Sequence, residues 1–478
     1  MTVSQAIEAL KQTIADANFV ERGTDEFTKL NTSYLSGLES DLEPAWIIQP
    51  RSKEDVPSFL KTIKPFVGTV GFAVRGAGQQ PLPGSANVQD GITLDLGLLK
   101  GIDVKDGVVE IAAGERWGAV YEKLDPHGLA VAGGRSAVGG IGGLSLMGGL
   151  SFFSSREGFI VDNIINYEVA LASGEIVNAN ADENADLWTA LKGAGNNLGI
   201  VTRFDMRTFK QGPIYGGTVF YFSPSFPSQI EALVTELRKP DASKETHLMI
   251  SQGFSAAINK DTIMCLNQPY YTQAVEDPPE LQPFTKVQPQ IDQMNSMRLH
   301  TVLEGAKEQE ASSQTNVRCA YMNITVKADA DTLKAASEFY TAGLTEPVKS
   351  VENAMYSFTL QPYPLSLLEK SAASGDNVLG LNPSDGPLVS VLLLSYWKNK
   401  SDDETVLGMM KDGLAKMKAD AESRGQLLPF VYMNYAFSHQ DPLASYGEEN
   451  REKLAQASKK YDPEGVFQKG ITGGFKLF

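Results

Sequence analysis

The feature that most constrains this chain is a glycine-rich run in its first third, where eight glycines fall between Gly133 and Gly149. Residues 136–155 carry no charge and contain a GxxxG pair, Gly139 and Gly143, so their length would suit a membrane span. Each glycine costs about 1 kcal/mol in a helix interior, however, so a spanning helix is disfavoured. The run instead predicts loops and tight turns in which bare backbone approaches another group closely.

Two shorter glycine segments have the same character. Residues 74–80 read Val-Arg-Gly-Ala-Gly-Gln-Gln after a candidate strand, and residues 193–199 read Gly-Ala-Gly-Asn-Asn-Leu-Gly before another. Neither completes the GxGxxG fingerprint of a Rossmann domain, because Pro81 and Leu198 stand where the third glycine belongs. Peptide N–H groups in such loops bind anions, and pyrophosphate is the obvious one. Any one of these segments is more simply explained as a structural turn. Three of them together predict a dinucleotide or other phosphorylated ligand that is bound by backbone N–H groups.

Composition excludes several other classes of protein. The 478 residues allow two or three domains, and a hydrophobic content of 42% is ordinary for a folded chain. A net charge of −16 argues against binding along a nucleic-acid backbone, which is itself a polyanion. Two cysteines exclude a disulfide scaffold, and the four histidines lack the spacing of metal ligands. Since P-loop and GxSxG patterns are absent too, we expect no metal site, no P-loop and no serine hydrolase.

The order of candidate elements predicts an α+β fold in two regions. Up to about residue 210, the predicted strands cover 45–49, 71–74, 92–94, 108–112, 167–171 and 200–204, and the predicted helices 53–63, 117–124 and 186–192. Farther on, the predicted strands cover 215–221, 247–254, 263–270, 322–325, 355–360 and 388–397, and the predicted helices 228–237, 330–340, 404–424 and 448–460. The second region is therefore expected to be a largely antiparallel sheet flanked by helices.

The first residues have an amphipathic pattern rather than that of a targeting signal. Ala6, Ile7, Leu10 and Ile14 recur at helical spacing, and acidic residues interrupt the stretch. We therefore expect an ordinary helix here, a cytoplasmic protein and no membrane partner.

Several motifs together carry a family resemblance. They are Ala-Trp-Ile-Ile-Gln-Pro at 45–50, the segment 74–80, the glycine run, Gly-Phe-Ile-Val-Asp-Asn-Ile at 158–164, Asp-Leu-Trp-Thr-Ala-Leu-Lys-Gly at 186–193, Tyr-Met-Asn-Tyr at 432–435 and Lys-Tyr-Asp-Pro-Glu-Gly-Val-Phe at 460–467. In these motifs the chain resembles the FAD-binding domain of the vanillyl-alcohol-oxidase/p-cresol-methylhydroxylase (PCMH) superfamily. It is most similar to the berberine-bridge-enzyme-like FAD-linked oxidoreductases that are common in fungi.

The resemblance implies a two-domain, PCMH-type α+β fold. Residues 1–210 and 428–478 would form the FAD-binding domain, and residues 211–427 would form a substrate domain with an antiparallel sheet flanked by helices. The loop that cradles the pyrophosphate would be Arg75, Gly76, Ala77, Gly78, Gln79 and Gln80. The flavin and its ribityl chain would lie against Gly139, Gly140, Gly142, Gly143, Gly148 and Gly149. The adenine half would meet Gly199, Ile200 and Val201, and Asn434 would lie near the isoalloxazine ring.

Two departures from the family pattern bear on how FAD is held. Many relatives attach FAD covalently through a histidine and a cysteine, but here Gln79 and Ser136 stand at those positions. Neither side chain makes the usual bond, so we expect non-covalent FAD. Loss of the bonds suggests a weaker oxidant or a non-redox role, and neutral drift with unchanged oxidase chemistry stays open. Gly134, two residues before Ser136, occupies a position that stays small in relatives that react with dioxygen.

The resemblance also suggests a catalytic base, since relatives often place a tyrosine or carboxylate over the flavin face. Residues 432–435 are interpreted as a short strand, in which Tyr432 and Asn434 share one face and Tyr435 takes the other. Tyr435 or Tyr432 is the candidate base, and core packing is the alternative role for each.

The leading hypothesis is therefore an FAD-dependent oxidase that acts on a small organic molecule, in secondary metabolism, with dioxygen as the electron acceptor. The alternative from another class of reaction is a non-redox cyclase or pericyclase that keeps FAD on the same scaffold. A flavin-binding or ligand-binding protein without catalytic activity is the third and least favoured interpretation.

Overall fold

The computed structural model describes residues 1–311, 315–375 and 377–478, apart from the side chains of residues 259–261. Its α-helices are α1 (Val3–Thr13), α2 (Asp25–Asn31), α3 (Gly37–Ser40), α4 (Asp55–Ile63), α5 (Trp117–Leu124), α6 (Ile141–Leu144), α7 (Ser154–Glu157), α8 (Ala185–Leu191), α9 (Phe226–Leu237), α10 (Gln282–Thr285), α11 (Val302–Ala311), α12 (Ala330–Gly343), α13 (Glu346–Lys349), α14 (Leu365–Ala373), α15 (Asp403–Ser423), α16 (Glu448–Tyr461) and α17 (Val466–Lys469). Helix α1 is the predicted amphipathic helix, and a capping box between Thr2 and Gln5 fixes its start.

A small mixed sheet near the N-terminus carries the first glycine segment. Its strands are β1 (Asn18–Glu21), β2 (Trp46–Gln49), β3 (Phe72–Arg75) and β4 (Ile92–Asp95), in the order β1-β2-β4-β3. Strands β2 and β3 run parallel to β4, and all four residues of β4 are buried. Helix α4 covers this sheet, with the Phe59 ring packed edge-on against Phe72. The first glycine segment leaves the sheet at the end of β3.

An antiparallel sheet carries the third glycine segment. The next strands along the chain are β5 (Ile102–Lys105), β6 (Val108–Ala112), β7 (Leu129–Ala130), β8 (Ile164–Ala170), β9 (Ile176–Asn180), β10 (Ile200–Arg207) and β11 (Phe209–Lys210). Five of them form a sheet in the order β5-β6-β10-β8-β9, and β7 pairs with β11. Because β10 is the central strand, the segment that precedes it is fixed by pairing on both sides.

A third, larger sheet follows. Its strands are β12 (Ile214–Gly216), β13 (Val219–Phe222), β14 (Thr246–Ser255), β15 (Asn259–Tyr271), β16 (Arg298–His300), β17 (Arg318–Lys327), β18 (Met355–Tyr363), β19 (Leu388–Trp397) and β20 (Leu427–Leu428). All pairings are antiparallel, in the order β16-β12-β15-β14-β18-β19-β17-β20, and β13 adds to β15. Helices α9, α12 and α15 share one apolar cluster with this sheet, through side chains such as Leu233, Leu333 and Met410. The prediction of an α+β fold with an antiparallel sheet flanked by helices is confirmed.

The observed bounds show which helices and strands the sequence pattern predicted correctly and which it did not. Elements β6, β19 and α5 have the predicted bounds. The strand predicted over 215–221 is instead two strands, because Gly217 breaks it with a φ of +150°. A Cβ at Gly217 would lie 2.7 Å from the Ser296 carbonyl oxygen, so this close approach requires glycine. Within the described residues, no helix is both long enough and apolar enough to cross a bilayer.

The C-terminal part of the chain packs with the N-terminal sheets. A single apolar cluster contains Ile92 and Val109 of those sheets together with Leu454 of α16 and Phe467 of α17. This arrangement is the one expected if residues 428–478 return to the first domain. The domain limits themselves, 1–210, 211–427 and 428–478, stay a prediction.

A buried carboxylate beside the first glycine segment gives the fold a pH dependence. Glu39 in α3 is fully buried and accepts hydrogen bonds from the backbone N–H groups of Gly84 and Ala86. Burial raises the pKa of Glu39 from 4.5 to about 7. Since the folded state then binds the proton more tightly than the unfolded chain, this contribution to stability is complete below pH 4.5 and is lost as the pH rises through 7.

We therefore expect the thermal unfolding midpoint to fall between mildly acidic and neutral pH, with up to about 3 kcal/mol from Glu39. In Glu39→Gln that part of the dependence should vanish, which thermal unfolding of the two proteins over this pH range measures. Equal slopes for both proteins would contradict the assignment to Glu39.

Candidate active site

The three glycine segments, although far apart in sequence, meet around one cavity of about 300 Å³. The first segment contributes Gly76, Ala77, Gly78, Gln79 and Gln80, and the second contributes Ser136, Gly139, Gly140, Gly142 and Gly143. The third contributes Gly195, Asn196 and Gly199, and the start of β10 adds Ile200 and Val201. Asn434 and Tyr435 complete the wall from the C-terminal part of the chain, and Tyr321 from the large sheet. A cavity of this size, lined by glycines together with apolar side chains, suits a small ligand or cofactor.

The first segment is held in place by Arg75, which does not itself lie on the cavity wall. The guanidinium stacks on the Tyr34 ring at 3.9 Å, donates to the Leu30 carbonyl at 2.9 Å, and lies 3.8 Å from the Asp95 carboxylate. Gly78 then turns the chain with a φ of +65°, pressed against Tyr34 so closely that a Cβ would lie 2.6 Å from the ring. Arg75 therefore fixes the conformation of the loop without lining the cavity itself.

The second segment is packed directly onto the first. A Cβ at Gly140 would lie 2.5 Å from the Cβ of Ala77, so only glycine allows this approach. Arg116 ties the two segments together by donating to the Val138 carbonyl and, at 3.5 Å, to the Ala77 carbonyl. Burial lowers the pKa of Arg116, and the nearby Arg75 charge adds to this.

The third segment connects the second to the C-terminal tail, residues 470–478. The Gly195 N–H donates to the Leu146 carbonyl at 2.9 Å. The Asn197 side chain donates to the Phe475 carbonyl at 2.8 Å, and the Asn196 side chain donates to the Gly473 carbonyl at 3.3 Å. Through Ile471, Gly474 and Phe475 the tail forms part of the cavity wall, a contribution that the sequence analysis missed.

The prediction that residues 432–435 form a short strand is wrong. Residues Met433–Tyr435 form a 3-10 turn that begins at Tyr432. Since a 3-10 helix has three residues per turn, Tyr432 and Tyr435 lie on the same face of the turn and not on opposite faces. Their rings meet edge to face, with centroids 4.8 Å apart. Asn323 fixes the turn by exchanging two hydrogen bonds with the Tyr432 backbone, at 2.9 and 3.0 Å.

Tyr435 is the tyrosine of this turn that reaches the cavity. Its hydroxyl accepts a hydrogen bond from Arg135 at 2.6 Å and donates one to the Gln361 side-chain oxygen at 3.1 Å. Tyr432 is buried behind it, and burial raises the pKa of the Tyr432 phenol well above its ordinary value. The geometry therefore favours Tyr435 over Tyr432 as a group that meets a ligand.

Several residues named from the sequence lie behind the wall and not on it: Arg75, Gly134, Gly148, Gly149 and Tyr432. Gly134 packs on Trp117, and its carbonyl accepts from the Tyr121 hydroxyl at 2.7 Å. Gly149 donates its N–H to the Asn434 side chain at 3.3 Å, so it supports a residue that does line the cavity. A direct cofactor contact from these five residues stays a prediction.

The wall has the properties that an FAD site requires. At Gly76 a Cβ would meet nothing within 4 Å, so the backbone there is bare toward open space. The Ser136 hydroxyl is buried and, among the described residues, has no hydrogen-bond partner. Buried polar atoms are normally paired, so an unpaired one on a cavity wall indicates that a ligand completes it. The glycine segments and this free hydroxyl fit a diphosphate-bearing cofactor.

Comparison with known proteins agrees with this geometry. A family described as an FAD binding domain matches residues 44–180. The FAD-dependent monooxygenase tpcD of Cochliobolus heterostrophus is 34% identical over 92% of this chain and 86% of its own length. The FAD-dependent monooxygenase CTB5 of Cercospora nicotianae is 32% identical over 93% of this chain and 99% of its own length.

Solved structures share the fold at lower sequence identity. The glucooligosaccharide oxidase of Acremonium strictum has a TM-score of 0.80 at 19% identity, covering 99% of both chains. The 6-hydroxy-D-nicotine oxidase of Arthrobacter nicotinovorans has a TM-score of 0.76 at 17% identity, covering 95% of this chain and 97% of its own.

Fold and cavity together define a flavoprotein of the PCMH type, as the sequence resemblance implied. The chain belongs to the family of FAD-linked oxidoreductases that includes the fungal FAD-dependent monooxygenases.

Proposed function

We propose that this protein is an oxidase that takes a hydride and a proton from a small organic molecule in secondary metabolism. FAD would be held without a covalent bond by residues 1–210 and 428–478, and the substrate would enter from the side of residues 211–427. The observation that carries this proposal is the convergence of the three glycine segments and Tyr435 on one cavity.

Non-covalent binding is supported by the residues on the wall. One structural neighbour carries FAD joined through a cysteine and a histidine. Among the described residues that line this cavity there is neither histidine nor cysteine, and Gln79 and Ser136 are present instead. Both cysteines of the chain, Cys265 and Cys319, are buried elsewhere, and burial raises the pKa of each thiol to about 12. An unreactive, neutral thiol does not form such a bond.

The residues divide the work between binding and proton transfer. The backbone N–H groups of the glycine segments would hold the diphosphate, and Asn434, fixed by the Gly149 N–H, would lie beside the ring system. Bound FAD would supply the acceptor for the substrate's hydride. The Tyr435 oxygen, in its ionised form, would accept the substrate's proton.

The lining of the cavity favours an aromatic or otherwise apolar substrate. Tyr321 and Tyr435 meet edge to face at 5.8 Å, and Leu35, Leu82 and Phe475 add apolar surface to the same cavity. Such surfaces bind flat, apolar molecules better than sugars, which need many polar partners.

The fate of dioxygen distinguishes an oxidase from a monooxygenase, which is the activity that the relatives' names state. An oxidase passes two electrons and two protons to dioxygen and releases hydrogen peroxide, whereas a monooxygenase places one oxygen atom in the product. With isotopically labelled dioxygen and a panel of aromatic alcohols and phenols, we expect peroxide to equal product and no label in the product. Labelled product would replace the oxidase proposal with a monooxygenase.

The absence of the usual anchoring residues at positions 79 and 136 favours one second candidate, a non-redox cyclase or pericyclase. This candidate predicts product formation without dioxygen and without bleaching of the flavin. The oxidase predicts that, without dioxygen, reaction stops after one equivalent of product and the flavin is bleached.

A further inference from the structure

We propose that Arg135 is a positioning residue that supplies the counter-charge for the Tyr435 phenolate. This inference rests on the base role given to Tyr435 in the proposed function. Arg135 lies inside the glycine run, one residue before Ser136, and 300 positions from Tyr435 in sequence. The fold brings the guanidinium and the phenol oxygen to 2.6 Å.

The guanidinium is oriented by three contacts. One nitrogen donates to Tyr435; the other lies 3.1 Å from the His247 ring nitrogen Nε2 and 2.9 Å from the Met249 sulfur. Burial holds the pKa of His247 well below its ordinary value, and the Arg135 charge adds to this. His247 is therefore neutral, and its Nε2 accepts the hydrogen bond from Arg135.

No carboxylate balances this charge. Among the described residues, no aspartate or glutamate oxygen lies within 4.0 Å of an Arg135 nitrogen. Other arginines near the domain junction do have such partners, for example Arg156 with Glu157 at 2.9 Å. A half-buried cation without an anion is costly, and the nearest group that becomes an anion is the Tyr435 hydroxyl.

The other phenols around Tyr435 do not compete for that role. Tyr432, Tyr321 and Tyr363 face it or Arg135, and burial raises the pKa of all three phenols. Tyr321 also lines the cavity, but its hydroxyl is bonded to that of Tyr396 at 3.1 Å. Gln361, the second partner of Tyr435, is uncharged. Of the described groups bonded to the Tyr435 oxygen, Arg135 is thus the cationic one.

Nitration measures the phenolate without any substrate, because tetranitromethane attacks the ionised phenol. We would treat the FAD-loaded protein at mildly alkaline pH and quantify nitrated peptides by mass spectrometry, with Tyr461, far from the cavity, as the reference in each sample. In Arg135→Gln we expect nitration of Tyr435 relative to Tyr461 to fall at least about tenfold. In Arg135→Lys, which keeps the charge, we expect it to stay within about threefold of the wild type.

A purely structural role for Arg135 predicts the opposite sign, because a shorter side chain opens access to Tyr435 and raises its nitration. Unchanged or increased nitration in Arg135→Gln would therefore overturn the proposal. If that variant does not fold, the wild type alone decides: Tyr435 should nitrate at least about tenfold faster than Tyr321, and equal rates would contradict us.

The two proposals fail separately. Loss of Tyr435 nitration in Arg135→Gln, with no turnover of any compound by the wild type, would support the role proposed for Arg135 and contradict the oxidase function. Turnover that depends on Tyr435, with unchanged nitration in Arg135→Gln, would support the oxidase and remove the role proposed for Arg135.

Discussion

Replacing Tyr435 with phenylalanine is expected to slow anaerobic bleaching of the bound FAD by about 10²–10⁴-fold, the usual contribution of a general base. The variant removes one oxygen atom and keeps the ring that packs on Tyr432 and Tyr321. It should therefore retain bound FAD, so the loss of rate falls on proton transfer. Stopped-flow absorbance with any compound of the aromatic panel that bleaches the wild-type flavin measures the rate.

Tyr271→Phe is the matched control, because this tyrosine is partly exposed on β15 and does not line the cavity. It should reduce its flavin at the wild-type rate. Wild-type kinetics in Tyr435→Phe would show that another group accepts the proton, and would remove the base role from the proposed function.

The second large effect is expected at Gly140, where alanine should weaken FAD binding without abolishing the fold. The new Cβ would lie 2.5 Å from the Ala77 Cβ and 3.2 Å from the Ala77 backbone nitrogen, neither of which is the end of a flexible side chain. The first two glycine segments must then move apart. Overpacking of this kind costs about 1–3 kcal/mol, which corresponds to roughly 5- to 140-fold weaker binding.

Equilibrium titration of the apoprotein with FAD measures this change. Gly212→Ala is the control, because a Cβ there meets nothing within 4 Å and position 212 lies outside the cavity. Equal FAD affinity in Gly140→Ala and Gly212→Ala would mean that contact between these segments does not shape the cofactor site.

The sequence predicted which backbone segments form the site better than it predicted which side chains do. Glycine segments are recognisable because glycine is disfavoured in regular elements, so eight of them within 17 positions require a special reason. Their convergence on one cavity follows from the resemblance and is observed. Strands such as β19 were predictable because a largely apolar run of ten residues, rich in valine and leucine, is typical of a buried strand.

Arg135 was missed because nothing local distinguishes it. Its three partners come from β14 and from the turn at residues 433–435, which only tertiary packing brings to the glycine run. The strand predicted at 432–435 failed for a related reason. Alternating side chains suggested an extended segment, but two hydrogen bonds between the Tyr432 backbone and Asn323, more than a hundred positions away, fix a tight turn.

The C-terminal tail was also missed, although a signal was present. Two adjacent glycines, Gly473 and Gly474, follow the last helix of the structure, α17, which ends at Lys469. In the structure Gly473 lies so close to the Gly84 carbonyl that no side chain fits between them. A glycine pair indicates close backbone contact and could have predicted that the tail packs tightly on another part of the chain.

The most direct test of the account is the absorbance spectrum of the purified protein before and after acid precipitation. We predict a flavin spectrum in the native protein and release of all flavin absorbance into the supernatant. Yellow colour that stays with the precipitate would contradict non-covalent binding, and a protein that neither carries FAD nor takes it up would contradict the assignment of the cavity.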